Sequence, residues 1–462
     1  MFHRLRIVSL VLVLISVFGV SGLTLAQGGS DICGGEPVAF NFLNFWGDAR
    51  EALMNEVIAS FNELCPNITV NNNVQGFDGR AELVASAVAG SNPPGLIMTT
   101  RIETYQFAQR GLIVPITGYV EASGVNPEDI FYAGEIGNQV YDGELWTYPM
   151  PTAGGITSFY FYNKELFHQA GLDPENPPET WQELEEAAQA ITVLDALGIE
   201  TLGASVLTNQ PGGPAGESFA HWLYTNNGAL FSDDGRTVTF NSPEGVETLQ
   251  WMVDFTNNIT GGIEATTDFW TGLEEPSADF PFYNERHGIH FANVAFFGHI
   301  QNNDPEMWAD TDAWGIALRP YNGNNPDAVH AGVSGLSFAW GYIIPANMPP
   351  EVQDAAYAFL EFLGTNEAGG CHFLLAQGRP SPVKSCNEDP SYSEANPYWD
   401  TVLEALATDV SVPVTPVQAQ INDVLTRAVE EAMYGADAQT VLDSAAAEAQ
   451  TILDEYWASV DV

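Results

Sequence analysis

The feature that most constrains the fold is an alternation of strand and helix patterns over residues 38–111. Three short apolar-rich runs predict strands: "VAFNFLNFW", "NITVNNNV" and "GLIMTT". Apolar side chains between the first two recur at helical spacing, and two further helices are predicted over 80–89 and 102–109. This β-α-β-α-β order predicts an α/β fold with a mostly parallel sheet covered on both faces. Ligands are expected beyond the carboxyl ends of its strands.

The first residues predict an export signal. His3, Arg4 and Arg6 precede a mostly apolar run over 7–20, and small residues then lead to a cleavage site after Ala26. The run is shorter than the roughly 18 residues that a bilayer-spanning helix needs. We therefore expect an exported protein, in the periplasm or at the extracellular face of the cell membrane.

Length and charge restrict the architecture and the partners. The 462-residue chain is long for one core and sufficient for two, since domains usually hold about 100 to 200 residues. Strand-like segments near Ala153, Ala292 and Ser337 could cross between the two halves. Only 13 Lys and Arg oppose 60 Asp and Glu, which gives a net charge of −47. This composition argues against nucleic acid and anionic membranes as partners, because both require clustered basic residues.

Four cysteines in an exported chain predict disulfides. Three pairings are possible. Cys33 precedes the first strand and Cys65 ends the helix that runs back beside it, so we expect Cys33 to pair with Cys65 and Cys371 with Cys386. The alternative role of Cys33 is to carry a lipid, but "SDIC" lacks the small residue before Cys and the apolar residue three before it.

The segment "ITSFYFYNKELFHQAGLDPENPPETWQEL" predicts a strand covered on both faces, a short helix ended by Gly171 and a proline-rich turn. Thr180 and Glu183 then have the spacing of a capping box. Trp181 begins an apolar stripe on the helix that follows, and we interpret it and Tyr162 as core residues.

Catalytic and metal-binding motifs are mostly absent. "GVSG" around Ser334 fails as a nucleophile elbow because Leu336 stands where the second glycine is needed. His287 and His290 could meet a metal, but no third ligand has suitable spacing. No phosphate-binding loop or dinucleotide fingerprint occurs, so we expect no cofactor and no metal. A glycosidase needs two opposed carboxylates, and the many acids of this chain leave that alternative open.

Aromatic and polar residues at the predicted strand ends favour a binding function. Trp46 and Asp48 end the first strand, Asp78 follows the second, and Thr99 and Thr100 follow the third. Sugars have apolar ring faces and hydroxyl edges, which aromatic side chains and a few fixed polar groups can bind. Asp48 and Asp78 have an alternative role as helix caps.

Several long segments resemble the extracellular solute-binding proteins of bacterial ABC importers, in the carbohydrate-binding branch. They are "YFYNKELFHQAGLDPENPPETWQELEEAAQAIT", "QRGLIVPIT", "YDGELWTYP", "FPFYNERHGIHFANVAFFG" and "AAYAFLEFLGTNEA". The resemblance implies two α/β lobes that close by a hinge around a ligand, with no catalysis. We expect residues 36–152 and 293–336 in the first lobe, and 153–292 and 337–458 in the second. It also implies a monomer that docks onto the transmembrane subunits of an ABC permease.

The resemblance also implies particular ligand contacts. They are Trp46, Asp48, Asp78, Glu217, Trp222, Phe296, Phe297 and Trp340. Family members that bind maltose-like sugars have an acidic residue near Ile156, where this chain has "TAGGIT". Members that bind glycerol 3-phosphate have a late basic residue, which "DVSVPVTPVQAQ" lacks. We therefore expect a neutral sugar or polyol as the carbohydrate ligand. Glycerol 3-phosphate or its diesters, or a secreted glycoside-processing enzyme, are the alternatives.

Overall fold

The structure is a computed structural model that describes residues 33–150, 158–207, 215–273, 277–328, 332–334 and 339–460. The predicted signal over 1–26 and the predicted crossings near Ala153 and Ser337 lie outside the described residues.

The strands, in chain order, are β1 (Val38–Asn44), β2 (Ile68–Val74), β3 (Leu96–Thr100), β4 (Ile113–Val114), β5 (Val140–Tyr141), β6 (Glu144–Leu145), β7 (Phe159–Asn163), β8 (Val193–Asp195), β9 (Gly198–Ala204), β10 (His287–His290), β11 (Trp314–Leu318), β12 (Val333–Ser334), β13 (Trp340–Pro345) and β14 (Val410–Ser411).

The α-helices are α1 (Ala49–Leu64), α2 (Arg80–Ala89), α3 (Arg101–Gln109), α4 (Thr117–Ser123), α5 (Pro127–Ile130), α6 (Ala133–Gly137), α7 (Lys164–Gln169), α8 (Trp181–Ile191), α9 (Ala215–Tyr224), α10 (Pro243–Ile259), α11 (Ile263–Trp270), α12 (Ala295–Asn303), α13 (Pro305–Ala309), α14 (Pro350–Thr365), α15 (His372–Leu375), α16 (Lys384–Asn387), α17 (Pro390–Ala395), α18 (Trp399–Thr408), α19 (Gln418–Met433) and α20 (Ala438–Val460). A π-helical segment, Glu367–Cys371, joins α14 to α15.

Two five-stranded sheets form the centres of two lobes. The first has the order β2-β1-β3-β13-β4 and the second the order β11-β7-β10-β9-β8. In the first sheet β1 runs parallel to β2 and β3, while β13 runs antiparallel to β3 and β4. In the second sheet β9 and β10 are parallel, and the other pairs among the described strands are antiparallel. The α/β architecture is as predicted, but both sheets are mixed rather than mostly parallel.

Two strands belong to the opposite lobe from the one predicted. β11 belongs to the second sheet, although residues 293–336 were assigned to the first lobe. β13 belongs to the first sheet, although residues 337–458 were assigned to the second lobe. The crossing expected near Ala292 is also wrong, because the strands on both sides of it, β10 and β11, are in the second sheet. A local apolar pattern identifies a strand but not its distant partner, which explains these errors.

Three connections between the lobes converge at Gly332. The backbone N–H of Val410 donates to the carbonyl of Gly332 at 3.0 Å, and β12 pairs in parallel with β14. A Cβ atom on Gly332 would collide with Asp409 Oδ1 and Ser158 Oγ. Ser158 precedes β7 of the second sheet, β12 lies between β11 and β13, and β14 lies between α18 and α19. The three segments meet at one point between the lobes, which makes it a candidate hinge.

Each lobe has its own aromatic packing. In the first, Phe42 contacts the rings of Tyr342 and Phe359 at centroid distances of 5.3 and 5.7 Å. In the second, Trp181 stacks on Trp251 at 4.0 Å. Trp181 is 1% exposed, which confirms it as a core residue. Tyr162 is also buried, in β7 between β10 and β11.

Two further local predictions are confirmed. Thr180 and Glu183 form a reciprocal capping box at the start of α8. Cys33 is bonded to Cys65, and Cys371 to Cys386. The first bond ties the chain ahead of β1 to the end of α1. Because its sulfur is in a disulfide, Cys33 is not available in this structure to carry a lipid.

Candidate functional site

One edge of the first sheet gathers the ends of four strands. β1, β2 and β3 are parallel, so their carboxyl ends share that edge. β13 runs the opposite way, and its first residue, Trp340, pairs with Thr100 at the end of β3. Side chains that follow β1, β2 and β3 therefore meet the side chain that begins β13. This is the region in which α/β sheets bind ligands.

Three aromatic rings meet at this edge: Trp46, Phe77 and Trp340. The centroid of Trp340 lies 5.8 Å from that of Trp46 and 5.6 Å from that of Phe77. We name these three side chains the aromatic platform. Phe77 is 49% exposed, whereas Trp46 is 6% exposed and its indole N–H donates to the Tyr342 hydroxyl at 3.1 Å. The platform thus has a fixed base and an exposed ring.

An arginine is held against the platform by a glutamate. The two terminal nitrogens of Arg80 donate to the two carboxylate oxygens of Glu103, each at 2.8 Å. The guanidinium carbon lies 5.2 Å from the Trp340 ring centroid and 6.0 Å from that of Phe77, within the range of cation–π attraction. Arg80 begins α2 and Glu103 lies in α3, so the pair links the segments that follow β2 and β3.

Glu103 is itself fixed by several donors. Its Oε2 atom accepts hydrogen bonds from the Thr99 hydroxyl at 2.9 Å and from the Thr100 backbone N–H at 3.0 Å. It also completes the capping box of α3 with Thr100. Burial alone would raise the pKa of Glu103, but the hydrogen bonds from Arg80 and Thr100 outweigh it and place the pKa below its usual value. Glu103 is therefore a carboxylate at neutral pH.

A second arginine packs against Trp46. The guanidinium carbon of Arg50 lies 4.6 Å from the Trp46 ring centroid. Partial burial lowers the pKa of Arg50, and the charge of Asp48 opposes that shift. Asp48 is exposed at the start of α1 and makes no capping hydrogen bond, and Gly79 rather than Asp78 is the N-cap of α2. Asp48 thus occupies the N-cap position of α1 without a side-chain bond, whereas the alternative role of Asp78 as a helix cap is wrong. Asp78 is exposed next to Phe77 in the chain.

Three of the predicted contact residues lie in the core instead. Trp222 is 1% exposed, and its indole N–H donates to the Val206 carbonyl at 2.9 Å. Phe296 and Phe297 are 0% and 4% exposed and pack against Phe161 at 4.7 and 5.2 Å. Their placement corrects the expectation that they contact a ligand. Aromatic residues serve cores and sugar sites alike, so residue type alone could not separate the two roles.

The remaining predicted contacts divide between the lobes. The structure brings Trp46 and Trp340 together and leaves Asp48 and Asp78 exposed near the platform. Glu217 is partly exposed on α9 of the second lobe, with Oε1 3.8 Å from His221 Nε2. Its role as a ligand contact stays a prediction.

Sequence reasoning missed Phe77, Arg80 and Glu103. The rule that selected Trp46, an aromatic residue just after a strand, applies equally to Phe77 after β2. Arg80 had a second signal, because arginines are scarce in a chain with only 13 basic residues. Glu103 has the capping-box spacing from Thr100, but no local pattern indicates its pairing with an arginine 23 residues earlier.

A separate cavity of about 810 Å³ lies between the lobes without any platform residue. Arg101, which lines it, donates to the Val412 carbonyl at 2.9 Å and to the Tyr105 hydroxyl at 2.8 Å. Other lining residues come from both lobes: Tyr141, Asp142, Trp146, Asp233, Asp234, Arg236 and Trp457. Its lining contains both arginines and aspartates, so the charges do not indicate one class of ligand.

The described residues were compared with the geometry of metal sites and of membrane-spanning helices. No group of three or more His, Cys, Asp or Glu side chains there is placed to hold a metal ion. His287 and His290 lie side by side with ring centroids 5.3 Å apart, and burial holds the pKa of His287 well below its usual value. Within the same residues, no helix combines the length and apolar character needed to cross a bilayer.

Residues 46–370 match the family model of the bacterial extracellular solute-binding protein. The chain belongs to this family. Its curated relatives include the sn-glycerol-3-phosphate-binding periplasmic protein UgpB of Shigella flexneri, 23% identical over 446 residues that cover 91% of this chain and 94% of the relative. UgpB of Escherichia coli (strain K12) is 22% identical over 443 residues, with the same coverage of both chains.

Solved structures share the two-lobed fold. The sugar-binding protein MalE of Xanthomonas citri has a TM-score of 0.72 at 18% identity and covers 92% of this chain and 99% of its own. The cyclic alpha-maltosyl-1,6-maltose binding protein of Arthrobacter globiformis has a TM-score of 0.70 at 20% identity, with coverage of 91% and 100%. A solute-binding protein of Thermotoga lettingae bound with alpha-D-tagatose has a TM-score of 0.63 at 22% identity, with coverage of 91% and 100%. The predicted family and fold are thus confirmed.

Proposed function

We propose that this solute-binding protein captures a neutral sugar or polyol between its lobes and delivers it to the transmembrane subunits of an ABC permease. The observation that carries the proposal is the aromatic platform with Arg80 fixed beside it, at the edge where the strands of the first sheet end. Aromatic faces bind the apolar faces of sugar rings, and a positioned guanidinium donates to hydroxyl groups.

The arrangement of the lobes supports capture by closure. Phe77 and Trp340 belong to the first lobe and Glu217 to the second, while the three connections between the lobes converge near Gly332. Rotation about this hinge would close the second lobe over a ligand resting on the platform. Closure removes apolar ligand surface from water and provides the shape that a permease recognises.

Glycerol 3-phosphate is the second candidate ligand. It is favoured by Arg50 and Arg80 at the site and by the UgpB relatives, whose names specify this compound. Against it, each arginine already has an acidic neighbour: Glu103 bonds to Arg80, and the charge of Asp48 acts on Arg50. A phosphate would have to compete with these carboxylates for the same cations. The neutral ligand is therefore the better supported of the two.

A thermal-shift screen followed by calorimetric titration tests the proposal. The panel contains monosaccharides, disaccharides and oligosaccharides, polyols, glycerol 3-phosphate and a glycerophosphodiester. We expect saturable stabilisation by a neutral carbohydrate and weaker or no stabilisation by the phosphates. Stabilisation by the phosphates alone would replace the proposal with the second candidate. Stabilisation by no carbohydrate would contradict the substrate class.

The proposal also covers the setting in which the protein acts. We place it outside the cytoplasmic membrane as a monomer, with no cofactor and no catalytic step. Size-exclusion chromatography with light scattering measures the oligomeric state. Incubation of the protein with its bound carbohydrate, followed by chromatography, checks for catalysis. Recovery of the intact carbohydrate is expected, and release of a hydrolysis product would support the glycoside-processing alternative.

A further inference from the structure

The charge of Arg80 is matched inside the site by a single carboxylate. A guanidinium has five N–H donors, and two of these bond to Glu103 at 2.8 Å each. The side chains of Arg80 and Glu103 are only 12% and 15% exposed, so water screens the pair weakly. The three remaining N–H groups have no acceptor among the described residues. The pair can therefore donate hydrogen bonds to a ligand while its net charge stays near zero.

Glu103 cannot easily turn away from this position. Besides Arg80, it accepts from the hydroxyls of Thr99 and Thr100 at 2.9 and 3.0 Å and from the backbone N–H of Thr100. These donors sit at the end of β3 and the start of α3, so the carboxylate is carried by rigid elements. A ligand anion that approached Arg80 would meet this fixed negative charge directly behind the guanidinium.

The charges around the Arg80–Glu103 pair also disfavour an anionic ligand. Arg50, which packs against Trp46, has Asp48 as its electrostatic neighbour, and Asp78 is exposed beside Phe77. The whole chain has a net charge of −47, which repels anions at long range. Removing the carboxylate of Glu103 would leave Arg80 as an unmatched cation in a partly buried site.

We propose that Glu103 is the residue that makes this site select neutral over anionic ligands, by neutralising Arg80 while leaving its outer N–H groups available. The inference rests on the proposed function, since it concerns the site that holds the carbohydrate. Glu103 acts through Arg80 and is a positioning residue. Its role differs from that of an ordinary capping glutamate, which stabilises a helix but does not change the charge preference of a ligand site.

The chain provides a matched control that separates the helix-capping role of Glu103 from its effect on the charge preference of the site. Glu183 completes the only other described capping box, with Thr180 at the start of α8 in the second lobe. A Glu183→Gln substitution removes the same charge from the same type of cap, away from the platform. Any loss of helix stability that comes from the cap alone should therefore appear in both variants.

The experiment compares wild type, Glu103→Gln and Glu183→Gln in sodium phosphate and in sodium chloride of equal ionic strength. Thermal unfolding is followed in each buffer, and inorganic phosphate is the anionic probe. For Glu103→Gln we expect phosphate to raise Tm over chloride by about 3 °C more than it does for wild type, because a ligand that binds only the folded state stabilises it. Wild type and Glu183→Gln should show only the equal, smaller rise that phosphate gives to folded proteins through its exclusion from their surface. Glu103→Asp, which keeps the charge, should behave as wild type does.

Titration with the neutral carbohydrate found by the screen provides a second measurement. Glu103→Gln should bind it more weakly and bind its acidic counterpart, such as the corresponding uronate, at least about tenfold more tightly than wild type does. An unchanged preference in Glu103→Gln, or equal phosphate stabilisation of wild type, would overturn the role of Glu103. If Glu103→Gln does not fold, Arg80→Gln is used, and we expect weaker neutral binding with no more phosphate stabilisation than wild type shows. Greater phosphate stabilisation of that variant than of wild type would contradict the inference.

The two proposals fail in different ways. A wild-type protein that binds only anionic carbohydrates contradicts both the proposed function and the role of Glu103. A wild-type protein that prefers a neutral carbohydrate, with no gain of anion binding in Glu103→Gln, contradicts only the role of Glu103.

Discussion

Replacing Phe77 by alanine separates a ligand contact from a core residue. Phe77 is 49% exposed and lies 5.6 Å from Trp340 and 6.4 Å from Trp46. Full burial of a phenylalanine stabilises a protein by roughly 2 kcal/mol, so the half-buried ring contributes about 1 kcal/mol. For a lobe of this size the loss corresponds to a fall in Tm of about 2 to 4 °C.

The effect of Phe77→Ala on ligand binding should be larger than its effect on stability. A stacked aromatic contact contributes about 1 to 1.5 kcal/mol, which is roughly five- to tenfold in affinity. Closure of the cleft would also bury the exposed half of the ring against the ligand, which adds apolar contact area. We therefore expect the dissociation constant for the carbohydrate to rise by about tenfold or more.

Isothermal titration calorimetry measures the affinity and differential scanning calorimetry the stability. Tyr434→Ala is the control, because Tyr434 is 70% exposed in the second lobe and lies apart from the platform. It should leave both quantities nearly unchanged. If Phe77→Ala lowers Tm by several degrees but binds the carbohydrate as wild type does, Phe77 is a packing residue and the assignment of the platform is wrong.

Three other substitutions test the core, the disulfide and the hinge. Trp222→Ala should lower the free energy of unfolding by about 3 to 5 kcal/mol, because the indole is 1% exposed. Chemical denaturation measures this loss. A weaker ligand affinity without lost stability would show that Trp222 is a ligand contact after all. Replacing Cys33 and Cys65 together by serine should lower the unfolding free energy by about 2 to 4 kcal/mol, measured in urea without reductant, and an unchanged midpoint would contradict the bond. Gly332→Ala should lower Tm and alter ligand affinity because its Cβ meets two buried side chains. Gly298→Ala, in α12 with open space around it, should leave the affinity unchanged and should not lower Tm, since alanine favours a helix more than glycine does. Equal effects of the two glycine variants in thermal unfolding would exclude a special role for Gly332.

The first half of the sheet could be predicted because its signals are local. Strands β1 to β3 and the helices between them follow from apolar runs, helical spacing and glycine or proline ends within 38–109. The capping box at Thr180 is equally local, since both partners lie three residues apart. The sheets to which β11 and β13 belong depend on pairing with β7 and β3, far away in the chain. No local pattern specifies such a pairing.

The candidate site was predictable to the extent that it follows the ends of strands. That rule selected Trp46, and β13 brought Trp340 beside it. The resemblance, and not this rule, selected Trp222 and Phe297, and the structure places both side chains in the core. The pairing of Arg80 with Glu103 could not be predicted, because it depends on how two loops approach each other in three dimensions.

A crystal structure of the wild-type protein with its most stabilising neutral carbohydrate tests the central claim most directly. The account predicts a sugar ring or polyol chain against Phe77 and Trp340, with a hydroxyl group bonded to an outer N–H of Arg80 and the Arg80–Glu103 pair intact. A ligand in the cavity lined by Arg101 and Arg236 would contradict it. So would a ligand whose anionic group displaces Glu103 from Arg80.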